Sequence, residues 1–413
     1  MTSFHCGLAL VGSDAGGRFE QGVRIETDGG LITGIDLDTV AQPGDLGLVA
    51  VVPGFVNAHS HAFHRSLRGR THDAGGDFWQ WRSRMYAEAA ALTPSGYREL
   101  ATRVFTEMRD AGYTSVSEFH YVHHQVDGTP YAAHDMEVAL AEAADAVGIR
   151  LLLLDTLYVR GGVGAALAPE QLRFGDADTD AWLRRWHSLR DALAAYPLVT
   201  VGAAVHSVRA VEPADLSAVA AGLPEDVPLH VHVSEQPAEN EQCLAAYGLT
   251  PTALLADHGL VTDRLHAVHA THLTEDDIRL LGDAGATVVM CPTTEADLGD
   301  GIGPAPELLA AGARLAIGSD QNAVIDPWEE VARLELDQRL RLRRRGVFSP
   351  AQLWHAGSGS DGLRVGAPFD AVELDLGSAR VRGADVNQLP LVARSGDVTA
   401  TIVAGRVTRP EER

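Results

Sequence analysis

Four apolar runs in this chain end on side chains that can bind a metal or move a proton. VNAHSHAF carries His59 and His61, and PLHVHVSE carries His230, His232 and Glu235. LHAVHATH carries His266, His269 and His272, and RLAIGSD ends on Asp320. Residues two apart on a strand face the same way. His59 and His61 therefore offer two adjacent imidazoles, half of a site for a borderline metal such as Zn²⁺. A histidine at a strand end with a carboxylate just beyond it, as in His232 and Glu235, suits a metal that acidifies water and an acid/base that shuttles the proton. His230 lies deeper in its run and reads as a packed strand histidine. Of the three histidines in HAVHATH, one is expected to reach the centre. Asp320 can ligate a metal or accept a proton, and a Ser-Asp pair can equally cap a helix. One H-x-H pair says little in a chain with 18 His. Together, three His and one Asp in strand order make a mononuclear site with room for water.

Such groups need a frame that brings strand ends together. Residues 1–53 read as short strands, with alternating FEQGVRIETDGGLITGIDLD turning at Gly29-Gly30. From 54 to 358, apolar runs alternate with Ala/Leu/Arg-rich helical stretches: Ser95–Ala111, Met136–Val147, Thr179–Ala195, Pro237–Tyr247, Asp276–Asp283 and Pro327–Arg345. About eight strand-then-helix repeats predict a parallel (β/α)₈ TIM-like barrel of the α/β class, with a doubly wound sheet as the competitor. Catalytic groups at C-terminal strand ends fit the barrel. Residues 359–413 return to strands and turns, so both termini are expected to share one small composite β domain.

Composition removes other chemistries. All 33 basic residues are Arg, and there is no Lys. A Schiff-base lysine, the lysine of a phosphate-binding loop and a carboxylated-lysine bridge between two metals are all excluded. A net charge of −23 argues against nucleic-acid or anionic-membrane partners. The basic stretch Arg339–Arg345 is better read as a solvated helix face making ion pairs. Cys6, Cys243 and Cys291 are too few and too scattered for a disulfide framework. The N-terminal MTSFHCGLALVGSDAGG has no basic segment before a long apolar core, and no run reaches the ~18 apolar residues of a membrane span. These features predict a cytoplasmic protein.

The sequence resembles the amidohydrolase superfamily in its mononuclear deaminase branch, and within it the formimidoylglutamate deiminases. The resemblance covers nearly the whole chain. It rests on PGFVNAHSHAFHR, DFWQWRSRMY, AGYTSVSEFHYVHH, AAVHSVRAV, HVHVSEQ, VHATHL, CPTTEADLGDGI, GSDQNAVIDPWEE and RLELDQRLRLRRR. It implies Zn²⁺, one per chain, on His59, His61, His232 and Asp320, although Fe²⁺ or Mn²⁺ could load the same ligands. Glu235 and His269, with Asp320, match the catalytic proton-transfer groups. Arg82, Tyr121, His206 and Arg209 match residues that hold a glutamate moiety, consistent with the bidentate grip of Arg on carboxylates. His64 stands where the family has Gln in HSHAFQR, a departure that bears on substrate selectivity because an imidazole is shorter and can be charged. The implied reaction hydrolyses N-formimino-L-glutamate to N-formyl-L-glutamate and ammonia, a step of histidine degradation, in a homodimer with a small-molecule dicarboxylate substrate. The alternatives are a related deaminase or amidohydrolase acting on another small amidine or amide, and a metal-binding scaffold without catalysis.

Overall fold

The structure, a computed structural model, describes residues 1–13, 16–71 and 78–410, so the Asp that opens DFWQWRSRMY lies outside the described residues. Four strands begin the chain: β1 (Thr2–Ser13), β2 (Gly16–Asp28), β3 (Leu31–Asp36) and β4 (Leu46–Pro53). Eight more follow: β5 (Phe55–Ser60), β6 (Tyr113–His120), β7 (Arg150–Leu157), β8 (Val199–Ser207), β9 (Leu229–Val233), β10 (Leu265–His269), β11 (Thr287–Met290) and β12 (Arg314–Ile317). These eight pair in parallel in chain order, from β5 to β12. The expected barrel is therefore present, and the doubly wound alternative is not. Strands enclosed on both faces read as unbroken apolar runs, and every residue of β9 and β11 is buried.

Closure falls on the chemistry. Ser60 and Asp320 form a parallel bridge. The Asp320 amide donates to the His59 carbonyl at 3.0 Å, and the His61 amide donates to the Asp320 carbonyl at 2.9 Å. Gly318 permits this approach, because a Cβ there would sit 2.8 Å from both the Cβ and the carbonyl oxygen of His59.

Three C-terminal strands, β13 (Ala371–Leu374), β14 (Val398–Val403) and β15 (Arg406–Thr408), join the first four in a seven-stranded mixed sheet ordered β15-β14-β13-β4-β1-β2-β3. Gly29 and Gly30 turn β2 into β3 at φ 57° and 83°, the positive-φ pair that tight hairpins favour. Helices cover the barrel. Pro94–Ala111 starts where Thr93 accepts from the Gly96 amide, stops at left-handed Gly112, and buries Tyr97, Ala101, Val104, Phe105 and Met108 along one stripe. Pro327–Leu342 ends three residues before the expected Arg345, because Arg343 turns left-handed at φ 53°. Its Arg339 and Arg341 make the expected ion pairs, with Glu335 and Glu307, each at 2.6 Å, but both arginines are half-buried and Glu335 is buried, so this part of the face is not solvated. Among the described residues no helix is long and apolar enough to cross a membrane. The three cysteines are free and buried.

Candidate active site

A cavity of about 530 Å³ opens at the C-terminal mouth of the barrel, and every predicted site residue except His59 lines it. His59 is fully buried directly beneath. His59 comes from β5, His61 follows that strand, His232 is the last residue but one of β9 and Asp320 follows β12. Their ligand atoms converge. His232 Nε2 lies 3.2 Å from His59 Nε2 and 3.4 Å from His61 Nε2. Asp320 Oδ1 lies 3.2 Å and 3.4 Å from the same two nitrogens. These four separations match the edges, roughly 3.3–3.4 Å, of a tetrahedron whose corners lie about 2.0–2.1 Å from a common centre, the spacing of a zinc-type site.

Tautomers support the same reading. His61 Nδ1 is 2.8 Å from the Phe119 carbonyl, and His232 Nδ1 is 2.8 Å from the His206 carbonyl. A carbonyl only accepts, so both Nδ1 atoms carry protons and both Nε2 lone pairs face each other. Burial pushes the His59, His61 and His232 rings below their ordinary pKa. Three uncharged imidazoles, two of them with facing lone pairs, and an anionic Asp320 make a cation site. Carbonyl-anchored rings are also how metal-ligating histidines are usually oriented.

A buried polar layer holds these ligands. Ser60 donates to Glu118 at 2.7 Å, and Asn322 donates to Ser60 at 3.1 Å and to the His61 carbonyl at 3.0 Å. Ser319 donates to Asn322 at 2.6 Å and exchanges two bonds with Asn57. Burial pushes the Glu118 carboxyl up to about 8.

The proton-transfer candidates sit above the ligands. His269 Nε2 is 3.9 Å from Glu235 Oε1 and 4.0 Å from Asp320 Oδ2. Its Nδ1 is 3.5 Å from Glu295 Oε1. Burial opposes charge on His269, but Glu235, Glu295 and Asp320 outweigh it and push the ring up to about 10. Glu295, which also accepts the Cys291 amide at 2.9 Å, did not emerge from the sequence as a site residue. Its signal was its place in CPTTE, four residues beyond Cys291. His269 and Asp320 both adopt left-handed backbone, at φ 68° and 41°. Non-glycine residues take that conformation at a cost and concentrate at functional sites.

The remaining wall is cationic and aromatic. Arg209, just past β8, lies 4.0 Å from Glu235. Arg82 reaches the mouth from the helix Phe78–Ala91 and donates to the Tyr86 hydroxyl at 2.7 Å. His206 packs edge-on against Tyr121 and Tyr158. His64 bonds Tyr121 at 2.9 Å, and burial pulls its ring down to about 3. The charge that the sequence allowed His64 is thus absent near neutrality, because burial disfavours it. His230 and His266 stack 4.2 Å apart away from the cavity, as the packed-histidine reading of His230 anticipated, and His272 does not line it.

Residues 50–408 match the Amidohydrolase family, and the chain belongs to that family. It is 41% identical to formimidoylglutamate deiminase from Pseudomonas aeruginosa over 72% of this chain, a match that spans 66% of that relative's length, just under two thirds. It is 28% identical to a 5-methylthioadenosine/S-adenosylhomocysteine deaminase from Syntrophobacter fumaroxidans, over 89% of this chain and 82% of that relative. A solved structure of an amidohydrolase from Brucella melitensis superposes with a TM-score of 0.91 at 36% identity, covering 98% of this chain and 94% of that one.

Proposed function

We propose that this chain hydrolyses N-formimino-L-glutamate to N-formyl-L-glutamate and ammonia, with one Zn²⁺ on His59, His61, His232 and Asp320. The observation that carries the reading is one cavity at which the converging donor atoms of His59, His61, His232 and Asp320 adjoin Arg82 and Arg209. The similarity to a formimidoylglutamate deiminase supports the same substrate. When bound, the metal supplies an acidified water, its pKa lowered towards ~7, and thus a nucleophile at neutral pH.

The chain's own groups do the rest. Glu235 protonates the imino nitrogen of the formimino group, which makes its carbon electrophilic. Asp320 takes up the proton released as water oxygen joins that carbon, and His269, held charged by Glu235, Glu295 and Asp320, orients the water. Glu235 takes back that proton and delivers it to the departing nitrogen, which leaves as ammonia while the hydroxyl on the carbon gives its remaining proton to Asp320 and becomes the formyl carbonyl. Arg82, Arg209, Tyr121 and His206 hold the two carboxylates. The protein is expected to act as a soluble cytoplasmic homodimer, with residues 1–53 and 359–413 as one β domain beside a barrel of 54–358.

A second reading, another small amidine or amide as substrate, draws on His64. Its uncharged ring and 2.9 Å bond to Tyr121 replace the reach of the family's Gln. Ammonia release from N-formimino-L-glutamate, formylglutamate and guanidinoglutarate, before and after chelation and Zn²⁺ return, tests both. Release confined to the formimino compound, lost on chelation and restored by the metal, is expected. Release from another of the three would move the assignment to the second reading.

A further inference from the structure

A chain of polar groups on the cavity wall plays no part in the proton transfers above. Gln171 is buried in the 3₁₀ turn Pro169–Phe174. Its Oε1 accepts the Ala168 amide at 2.9 Å, which fixes the orientation of the side-chain amide. Its Nε2 therefore donates both hydrogens, to the Tyr158 hydroxyl at 2.8 Å and to the Tyr86 hydroxyl at 3.1 Å. Arg82 Nε, which can only donate, reaches the same Tyr86 hydroxyl at 2.7 Å.

Counting donors then leaves two protons over. The Tyr86 oxygen already accepts two bonds, so its proton must point elsewhere. The Tyr158 oxygen accepts from Gln171 and likewise keeps a proton to give. Among the described residues neither proton has an acceptor within hydrogen-bond reach, and both phenols line the cavity. Tyr158 is buried, where an unused donor is costly. Both Arg82 and Arg209 bring their charges to bear on Tyr158. A wall of two hydroxyl donors and two guanidinium groups is matched by an anion with several acceptor oxygens. The close approach is built in, because a Cβ on Gly161 would sit 2.6 Å from Gln171 Oε1.

We propose that Tyr86 and Tyr158 bind one carboxylate of the substrate through their hydroxyl protons, in the field of Arg82 and Arg209, and that Gln171 is the positioning residue that aims both. The anionic substrate class rests on the function proposed above, and Tyr86, Tyr158 and Gln171 extend it to residues that the sequence did not single out.

The test is calorimetric titration of the zinc-loaded protein with glutarate and, as a monoanion control, butyrate. Wild type should prefer glutarate. Tyr86→Phe and Tyr158→Phe should each weaken glutarate about tenfold or more, the scale of one hydrogen bond to a charged group. Gln171→Leu should weaken glutarate similarly, with the loss in ammonia release falling on KM more than on kcat. Melting curves within a few degrees of wild type separate these effects from unfolding. Phe variants that bind glutarate like wild type would overturn the clamp, as would a wild type that does not bind glutarate. Tyrosine-dependent glutarate binding without ammonia release from N-formimino-L-glutamate would sustain the clamp and defeat the substrate assignment instead.

Discussion

Truncating Arg209 to Ala should cost the enzyme its grip on substrate while leaving the metal in place. A guanidinium fork on a carboxylate makes two charge-assisted hydrogen bonds, each contributing about 1.5–3 kcal/mol. The side chain is 23% exposed, so solvent screens part of this and the low end applies, about 3 kcal/mol for the pair. At 1.4 kcal/mol per decade that is roughly a hundredfold loss in kcat/KM. A second effect has the same sign. Arg209 stands 4.0 Å from Glu235, and without the cation an incoming dianion meets that carboxylate unshielded. Most of the loss should appear as a raised KM, with a smaller drop in kcat because Glu235 loses a neighbouring charge. Zinc content should be unchanged, since Arg209 touches none of the four ligand atoms. Arg209→Lys, which keeps the charge and loses the fork, should fall between. Steady-state ammonia release with metal analysis measures all of this, and an Arg209→Ala enzyme with wild-type KM would refute the assignment.

Two further substitutions probe the chemistry and the frame. Glu235→Gln keeps the shape and removes the proton carrier, so turnover should drop by about 10²–10⁴ at constant zinc content; a near wild-type kcat would show the proton moving by another route. Gly318→Ala pushes a methyl against the backbone of His59 at 2.8 Å, where overpacking costs typically about 1–3 kcal/mol. Both a lower Tm and weaker zinc retention are expected, because the displaced segment carries a ligand; an unaltered Tm would mean that the first and last strands close with slack.

The candidate metal and acid/base residues stood out because a parallel barrel writes its geometry into the sequence. Its strands are buried on both faces and read as apolar runs, so a polar residue ending such a run stands out, as His232 and Asp320 do. Helix limits were legible where capping residues mark them: Thr93 and Gly112 bracket Pro94–Ala111, and Asp326 starts Pro327–Leu342. The left-handed turn of Arg343 had no such marker, because nothing in RLRLRRR distinguishes its final arginines. Short helices such as Pro292–Leu298 and Ala305–Ala311 span too few turns for periodicity to reveal. Arg82 was placed by family resemblance, and its position over the cavity depends on how the helix Phe78–Ala91 lies across the barrel mouth. Glu295, Gln171 and Tyr86 gain their roles only from contacts between distant segments.

Overall acidity and the anion-binding wall coexist because they act at different ranges. Exposed charges more than about 10 Å apart are largely screened at ordinary ionic strength, so a net charge of −23 does little to a cavity lined by Arg82, Arg160 and Arg209. Burial also blunts the carboxyl of Glu239 near that wall, pushing it up to about 7. Asp320 moves the other way: burial opposes its charge, but the His59 ring hydrogen-bonded to it and the charged His269 overcome that and hold it low. The groups that must stay charged do so because a partner of opposite sign, or of metal-binding type, is built beside them. In Asp320 one residue supplies that charge, closes the barrel against His59 and His61, and adopts the left-handed backbone that aims its carboxylate inward. A change that relaxes the closure should therefore weaken metal binding before it removes any ligand, and for that reason the Gly318 variant tests the site as well as the fold.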